Sequence, residues 1–164
     1  MDANWIRILA GYNAWANHRL YGACGQLPEP ALTQSRPSFF GTILGTLNHV
    51  LVGDRIWLAR IEGREESIPS LDHILHQDFA ELFQARKEFD ARIIATVAEF
   101  DDARLAAPLI YRNMAGEEHH IPLGHVLGHV FNHQTHHRGQ VHDMLSHTQV
   151  SPPSLDLIRY LREA

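Results

Sequence analysis

A chain of 164 residues has the length of one ordinary domain, and its 45 % apolar and 20 % charged residues are those of a globular protein, not of a disordered or membrane-spanning one. Fourteen Lys and Arg against nineteen Asp and Glu leave a charge of −5 with histidines neutral, and the arginines are scattered, which argues against a nucleic-acid-binding face. Cys24 stands alone and the opening MDANWIRILAGYNAW lacks a basic-then-apolar leader, so the expectation is a single cytoplasmic domain over residues 1–164, with neither membrane nor nucleic acid among its partners.

Trp5, Ile8, Leu9, Tyr12, Trp15 and Ala16 recur at helical spacing, which predicts a first helix ending near Gly25, ahead of Pro28 and Pro30. A second helix is predicted from about Ser38, after Pro37, through FFGTILGTLNHVLVGDRIWLARIEG to Gly63, a suitable C-terminal cap. It carries His49 and Asp54. Asp72 is placed to cap a long third helix in which Leu75, Phe79, Leu82, Phe83, Arg86, Phe89, Ile93, Val97 and Phe100 keep the period. Between residues 101 and 122 the period fades, and LIYRNMAGEEHHIPL reads as two extended pieces about an Ala115-Gly116 turn. Pro122 suits the first turn of a fourth helix running to about His147, and a short terminal helix, DLIRYLRE, is expected with Ser154 as its cap. Long helices without alternating strands predict an all-α fold: an antiparallel four-helix bundle with a short extra hairpin before the fourth helix and a short C-terminal helix.

The thirteen histidines are the compositional anomaly, and five of them fall within HVFNHQTHHRGQVH, residues 129–142. Side chains four apart on a helix stand ~5–6 Å apart at Cβ, close enough for two imidazoles to share one ion. The run His125, His129, His133, His137 drifts ~40° per step around the axis, so its members cannot all face the core. Leu123, Val126, Leu127, Val130, Phe131, Val141, Met144 and Leu145 define the buried stripe. His137 lies inside that stripe and His133 on its border, whereas His129, His125 and His136 turn toward solvent. His119, His120, His142 and His147 are likewise expected at the surface.

Two adjacent buried imidazoles each need a partner, and a shared cation satisfies both. A third ligand has to come from a neighbouring helix, where His49 and Asp54 are both candidates. Asp54 sits in the apolar stripe of Phe39, Ile43, Leu47, Val50, Trp57 and Ile61; its bland role is a carboxylate paired with an arginine or supporting a ligand imidazole. His49 shares a face with Thr42, Gly45, Thr46, Gly53 and Ile56, small enough to admit another helix closely. Spacing alone leaves this choice open. Arg138 projects toward a helix interface, and Gln140 lies near the His133 edge, where it could hydrogen-bond a ligand from behind.

The segments YNAWANHRL, SFFGTILGTLNHVLVGDRIWLARIEG, NHQTHHRGQVHDML and PPSLDLIRYL together resemble the DinB family of small helical-bundle proteins over nearly the whole chain. The resemblance implies a four-helix bundle in which His49, His133 and His137 bind a divalent metal, and it favours His49 over Asp54. It further implies a homodimer, and related thiol transferases that use the metal to join low-molecular-weight thiols to electrophiles.

Three neutral imidazoles would leave positions open to water or substrate, as a catalytic site requires. Such a metal would lower the pKa of a bound water or thiol. Imidazole ligands suit zinc or nickel, the expected metals, and also iron or copper. The expected activity is a metal-dependent transferase, thiol to small electrophile, or a hydrolase, acting on a small-molecule substrate. The alternatives are a non-enzymatic metal-binding stress-response or interaction protein, and a metal buffer using His119, His120, His125 and His129. Spacing does not say whether Tyr12, Trp15, Trp57 or Tyr111 lines a pocket or fills the core.

Overall fold

The computed structural model describes residues 2–163. In chain order it contains α1 (Ala3–Cys24), α2 (Glu29–Thr33), α3 (Ile43–Ile61), α4 (Phe79–Ala98), α5 (Asp102–Ala106), β1 (Pro108–Arg112), β2 (Glu118–Pro122), α6 (Leu123–Ser146) and α7 (Leu157–Glu163). The long helices α1, α3, α4 and α6 form the expected bundle, and β1 and β2 form the expected hairpin ahead of α6. The short helices α2 and α5 have too few turns to show a period, and the sequence reading missed them.

Two predicted helix starts move, each because a polar side chain captures backbone locally, and one predicted cap is not formed. The second predicted helix starts at Ile43, not near Ser38: Gly41 adopts φ 71°, and Thr42 Oγ1 accepts from the Gly45 amide at 2.8 Å. Its other end is as expected. Gly63 has φ 66° and the Arg64 amide returns to the Ala59 carbonyl at 2.8 Å, closing a Schellman turn. The third predicted helix starts at Phe79 and is capped by Asp78, not by Asp72. Residues 75 and 76 are held away from helix by the buried Asn48 amide, whose Oδ1 accepts from the Leu75 and His76 amides at 2.9 and 3.0 Å. At the C-terminus Ser154 does not cap α7; its hydroxyl donates to the Asp156 carboxylate, and the Asp156 carbonyl accepts from the Arg159 amide at 3.0 Å. Pro122 is the residue before α6, where its missing N–H costs nothing, and it also closes the hairpin opposite Pro108.

The core is divided along its length. One apolar cluster joins Leu20, Tyr21 and Cys24 of α1 to Ile43, Leu47 and Leu51 of α3, Leu82 of α4 and Val141, Met144 and Leu145 of α6. The other joins Ile6 and Ala10, Leu58 and Ile61, Ile93 and Val97, and Leu123, Val126, Leu127 and Phe131 of the same four helices. The order in which each helix visits the two clusters fixes direction: α1 runs with α6 and against α3 and α4, so the neighbours α3 and α4 are parallel. That is why residues 62–78 form a long crossover instead of a tight turn. This crossover passes over the outer face of α3.

Between the clusters lies a polar layer of Asn13, Asn17, Asp54, Arg86, Asp90, Gln134 and Arg138, all buried. Arg86 bridges Asp54 at 2.5 Å and Asp90 at 2.9 Å, and Asn17 donates to Asp90 at 3.1 Å. Arg138 donates to Asn13, Asn17 and Gln134, and Gln134 donates to Asp54. Two buried guanidinium groups thus face two buried carboxylates, and the side chains tie all four long helices at one level. No helix among the described residues is long and apolar enough to cross a membrane.

Candidate metal centre

At the height of that polar layer, but on the outer α3–α6 seam, three imidazoles converge. His49 comes from α3 and His133 and His137 from successive turns of α6. His49 Nε2 lies 3.1 Å from His133 Nε2 and 3.2 Å from His137 Nε2, and one ligand atom from each residue falls within 4.8 Å of the others. His49 and His137 are buried and His133 is half-buried.

Hydrogen bonds to the far ring nitrogens decide which tautomer each histidine takes. The Leu71 carbonyl, on the crossover, accepts from His49 Nδ1 at 2.7 Å, and Gln140 Oε1 accepts from His137 Nδ1 at 2.7 Å. Both carbonyl oxygens can only accept, so the protons reside on Nδ1 and both Nε2 atoms present lone pairs. Lone pairs facing each other at this distance repel unless a cation lies between them. A tetrahedral ion at ~2.0–2.1 Å from each nitrogen sets the nitrogens about 3.3 Å apart, close to the two spacings seen. The donor set therefore fits a divalent ion of the imidazole-preferring kind.

The surroundings keep the three rings neutral. Burial is the largest cause of a lowered pKa in all three; together with the neighbouring imidazoles it takes His133 to about 3, and His137 to about 4 against the opposing hydrogen bond to Gln140. Neutral imidazole is the form that ligates. Phe40 stacks on His49 with ring centroids 3.8 Å apart, covering one side of the site. Gly53 lets α6 approach, because a Cβ there would stand 3.0 Å from His133 Cε1.

Asp54 does not take part in this cluster. Its carboxylate accepts from Arg86 and Gln134, the bland role of a carboxylate paired with arginine, and burial raises its pKa to about 6 against the opposing Arg86 charge. Gln140 does touch a ligand imidazole, and its amide also reaches His136 Nε2 at 3.3 Å. Arg138 turns into the core, over the Tyr12 ring. His129 is exposed, yet its ring packs 5.2 Å from Trp57 and 5.9 Å from His133, at the mouth of the site. His119 and His120 sit on the hairpin beside Glu117 and Glu118, away from the cluster. The sequence reading missed Leu71 and Phe40. A backbone carbonyl leaves no mark in a sequence, whereas Phe40 falls inside the predicted second helix but precedes the actual start of α3 at Ile43.

Comparison with known proteins gives the family and the fold. The DinB family profile matches residues 2–164. The chain is 25 % identical over 154 residues to Protein DinB of Bacillus subtilis strain 168, covering 92 % of this chain and 90 % of that protein. Its fold is similar to the crystal structure of a DinB-like protein from Bacillus cereus ATCC 10987, with a TM-score of 0.65 at 16 % identity over 85 % of this chain and 89 % of that one. A bundle of this topology, with a histidine triad on its α3–α6 seam and a family match from end to end, makes the chain a member of the DinB family.

Proposed function

We propose that the protein is a divalent-metal-dependent enzyme, with zinc or nickel held by His49, His133 and His137, that transfers a small thiol to an electrophile or hydrolyses a small substrate. The observation that carries this reading is the convergence of three Nε2 atoms, two of them with lone pairs turned toward one another by acceptors behind the rings. The ion, when bound, supplies Lewis acidity that makes a thiol or water nucleophilic near neutral pH.

The chain's own residues do the rest. Leu71 and Gln140 orient two ligand rings, Phe40 shields the site from solvent on one side, and His129 packs against the ligand His133 from the exposed side. In the thiol-transfer reaction a C–S bond forms, the leaving group departs with its electron pair, and the thiol proton passes to solvent.

The test is a conjugation assay with tag-free, zinc- or nickel-loaded protein, pairing small thiols such as cysteine with chromogenic electrophiles, alongside an ester-hydrolysis assay. Metal-dependent turnover that disappears in His133→Ala supports the reading. Stoichiometric metal without turnover in either assay overturns the enzymatic half.

A further inference from the structure

His49, Gly53, Ile56 and Arg60 recur at i, i+4, i+7 and i+11 along α3, which keeps them on one face. Arg60 stands at the other end of this stripe, roughly 16 Å along the helix axis from His49 at 1.5 Å per residue. Its long side chain leans back toward the N-terminal end, shortening that separation.

Arg60 is set up differently from its neighbours. Arg55 is paired with Glu66, Arg64 with Glu62 and Arg112 with Glu118. Arg60 has no carboxylate or carbonyl partner among the described residues; its guanidinium is flanked by the Trp57 ring at 4.7 Å and the Tyr111 ring at 5.0 Å. Aromatic faces hold a guanidinium in place without consuming its five N–H donors. Half-buried and only weakly compensated, the group is desolvated in the free protein, and burial lowers its pKa.

Arg60 lines a cavity of about 580 Å³ together with Tyr111, Arg64, Arg112, Glu65 and Glu66; Arg64, Arg112 and Glu66 are held in the ion pairs with Glu62, Glu118 and Arg55, which leaves Arg60 as the lining guanidinium without a carboxylate partner among the described residues. The cavity is the size of a small-molecule site. Ile110 and Met114 project from the hairpin at its rim and are 57 % and 58 % exposed, apolar surface suited to an organic body and not to an inorganic ion. Trp57 stands between the two regions: its ring lies 5.1 Å from Tyr111, which lines the cavity, and 5.2 Å from His129, which in turn lies 5.9 Å from the ligand His133.

We infer that Arg60 binds the carboxylate, or equivalent anionic end, of an elongated organic substrate whose reacting end reaches the histidine centre. The inference rests on the metal reading for the reacting end and adds the chemistry of the far end. Binding there requires no proton transfer: the carboxylate takes a forked pair of N–H bonds from a guanidinium already stripped of part of its water.

Calorimetric titration of zinc-loaded protein with α,ω-dicarboxylates of increasing length tests it, with the monocarboxylates of equal length as controls for apolar contact. Octanedioate and decanedioate are expected to bind about tenfold tighter than octanoate and decanoate, a gain typical of hydrogen bonds to charged groups, whereas butanedioate is too short to show it. Arg60→Gln should abolish the gain while zinc content stays at the wild-type value, and Arg104→Gln, a part-buried arginine over Phe100 instead, should keep it. Equal affinity for dicarboxylates and monocarboxylates, or a gain that survives Arg60→Gln, overturns the inference. Elemental analysis of the same batches separates the two claims. If wild-type protein holds no zinc, the metal reading fails; decanoate binding that Arg60→Gln removes then still supports the Arg60 subsite, and decanoate binding that it leaves intact overturns it.

Discussion

The Nδ1 nitrogen of His49 lies 2.7 Å from the carbonyl oxygen of Leu71, which places a backbone group of the α3–α4 crossover directly behind a ring on α3. Residues 62–78 thus do more than join two parallel helices. By fixing the proton on Nδ1 they turn the His49 Nε2 lone pair toward His133 and His137. Gln140 does the same for His137 from within α6.

Gln140 supplies an acceptor that can be removed without touching a ligand. Gln140→Ala is expected to weaken zinc affinity ~10–100-fold, as loss of such supporting hydrogen bonds does, with stoichiometry unchanged at saturating metal. Gln140→Glu, which keeps an acceptor, should stay near wild type. Competition against a chromogenic chelator reads both, and an unchanged affinity in the alanine variant would show that the bond orients nothing.

Gly53 offers an opposite pairing of stability and binding. Alanine is favoured over glycine inside a helix by up to ~1 kcal/mol, so Gly53→Ala should leave the metal-free protein at least as stable. Its Cβ would sit 3.0 Å from His133 Cε1, however, and a ring pinned by a metal cannot move aside. Lower zinc affinity with undiminished apo stability is the expected signature; wild-type affinity would mean that the contact does not constrain His133.

The bundle, the hairpin and the His133–His137 pair were legible because each rests on periodicity: apolar residues at helical spacing, and imidazoles one turn apart on the edge of an apolar stripe. Gly63 was legible because a glycine at φ 66° ends a helix in a way few other residues can. The late starts of α3 and α4 were not, since the capturing groups, Thr42 and the distant Asn48, act through single hydrogen bonds that compete with good helical pattern. Asp54 illustrates the same boundary. Its place in an apolar stripe announced a buried carboxylate, but its partner Arg86 lies 32 residues away, and only the fold brings the two to 2.5 Å. The choice between His49 and Asp54 was likewise a question of which face of α3 meets α6, which spacing within one helix does not answer.

Acid should destabilise the metal-free protein. His133 and His137 titrate at about 3 and about 4 in the folded chain, and His49 is also lowered. Unfolding returns them to ~6.5, so the unfolded state binds more protons between those values. Their contribution to stability is intact above ~6.5 and is lost as pH falls toward 4. Asp54 works the other way: raised from 3.8 to about 6, it favours the folded state as pH drops across that interval and softens the fall. Urea unfolding of chelator-treated wild type and His133→Gln between about pH 7 and 4.5 isolates the histidine part, and the variant should lose less stability over that range. Equal losses would remove His133 from the acid response.

Arg86 neutralises two buried carboxylates at once, Asp54 and Asp90. Removing it leaves both charges in the core, so Arg86→Ala should cost ~3–5 kcal/mol in urea unfolding, several times the effect of an ordinary surface substitution. A loss below ~1 kcal/mol would mean that water or protonation compensates readily and that the polar layer does not hold the bundle together.

The central claim is that one divalent ion is held jointly by α3 and α6, and metal content measures it most directly. Elemental analysis of tag-free wild-type protein should find about one zinc or nickel per chain, and His49→Ala and His133→Ala, folded by circular dichroism, should retain almost none. Stoichiometric metal in His49→Ala, or several ions per wild-type chain, would contradict the account.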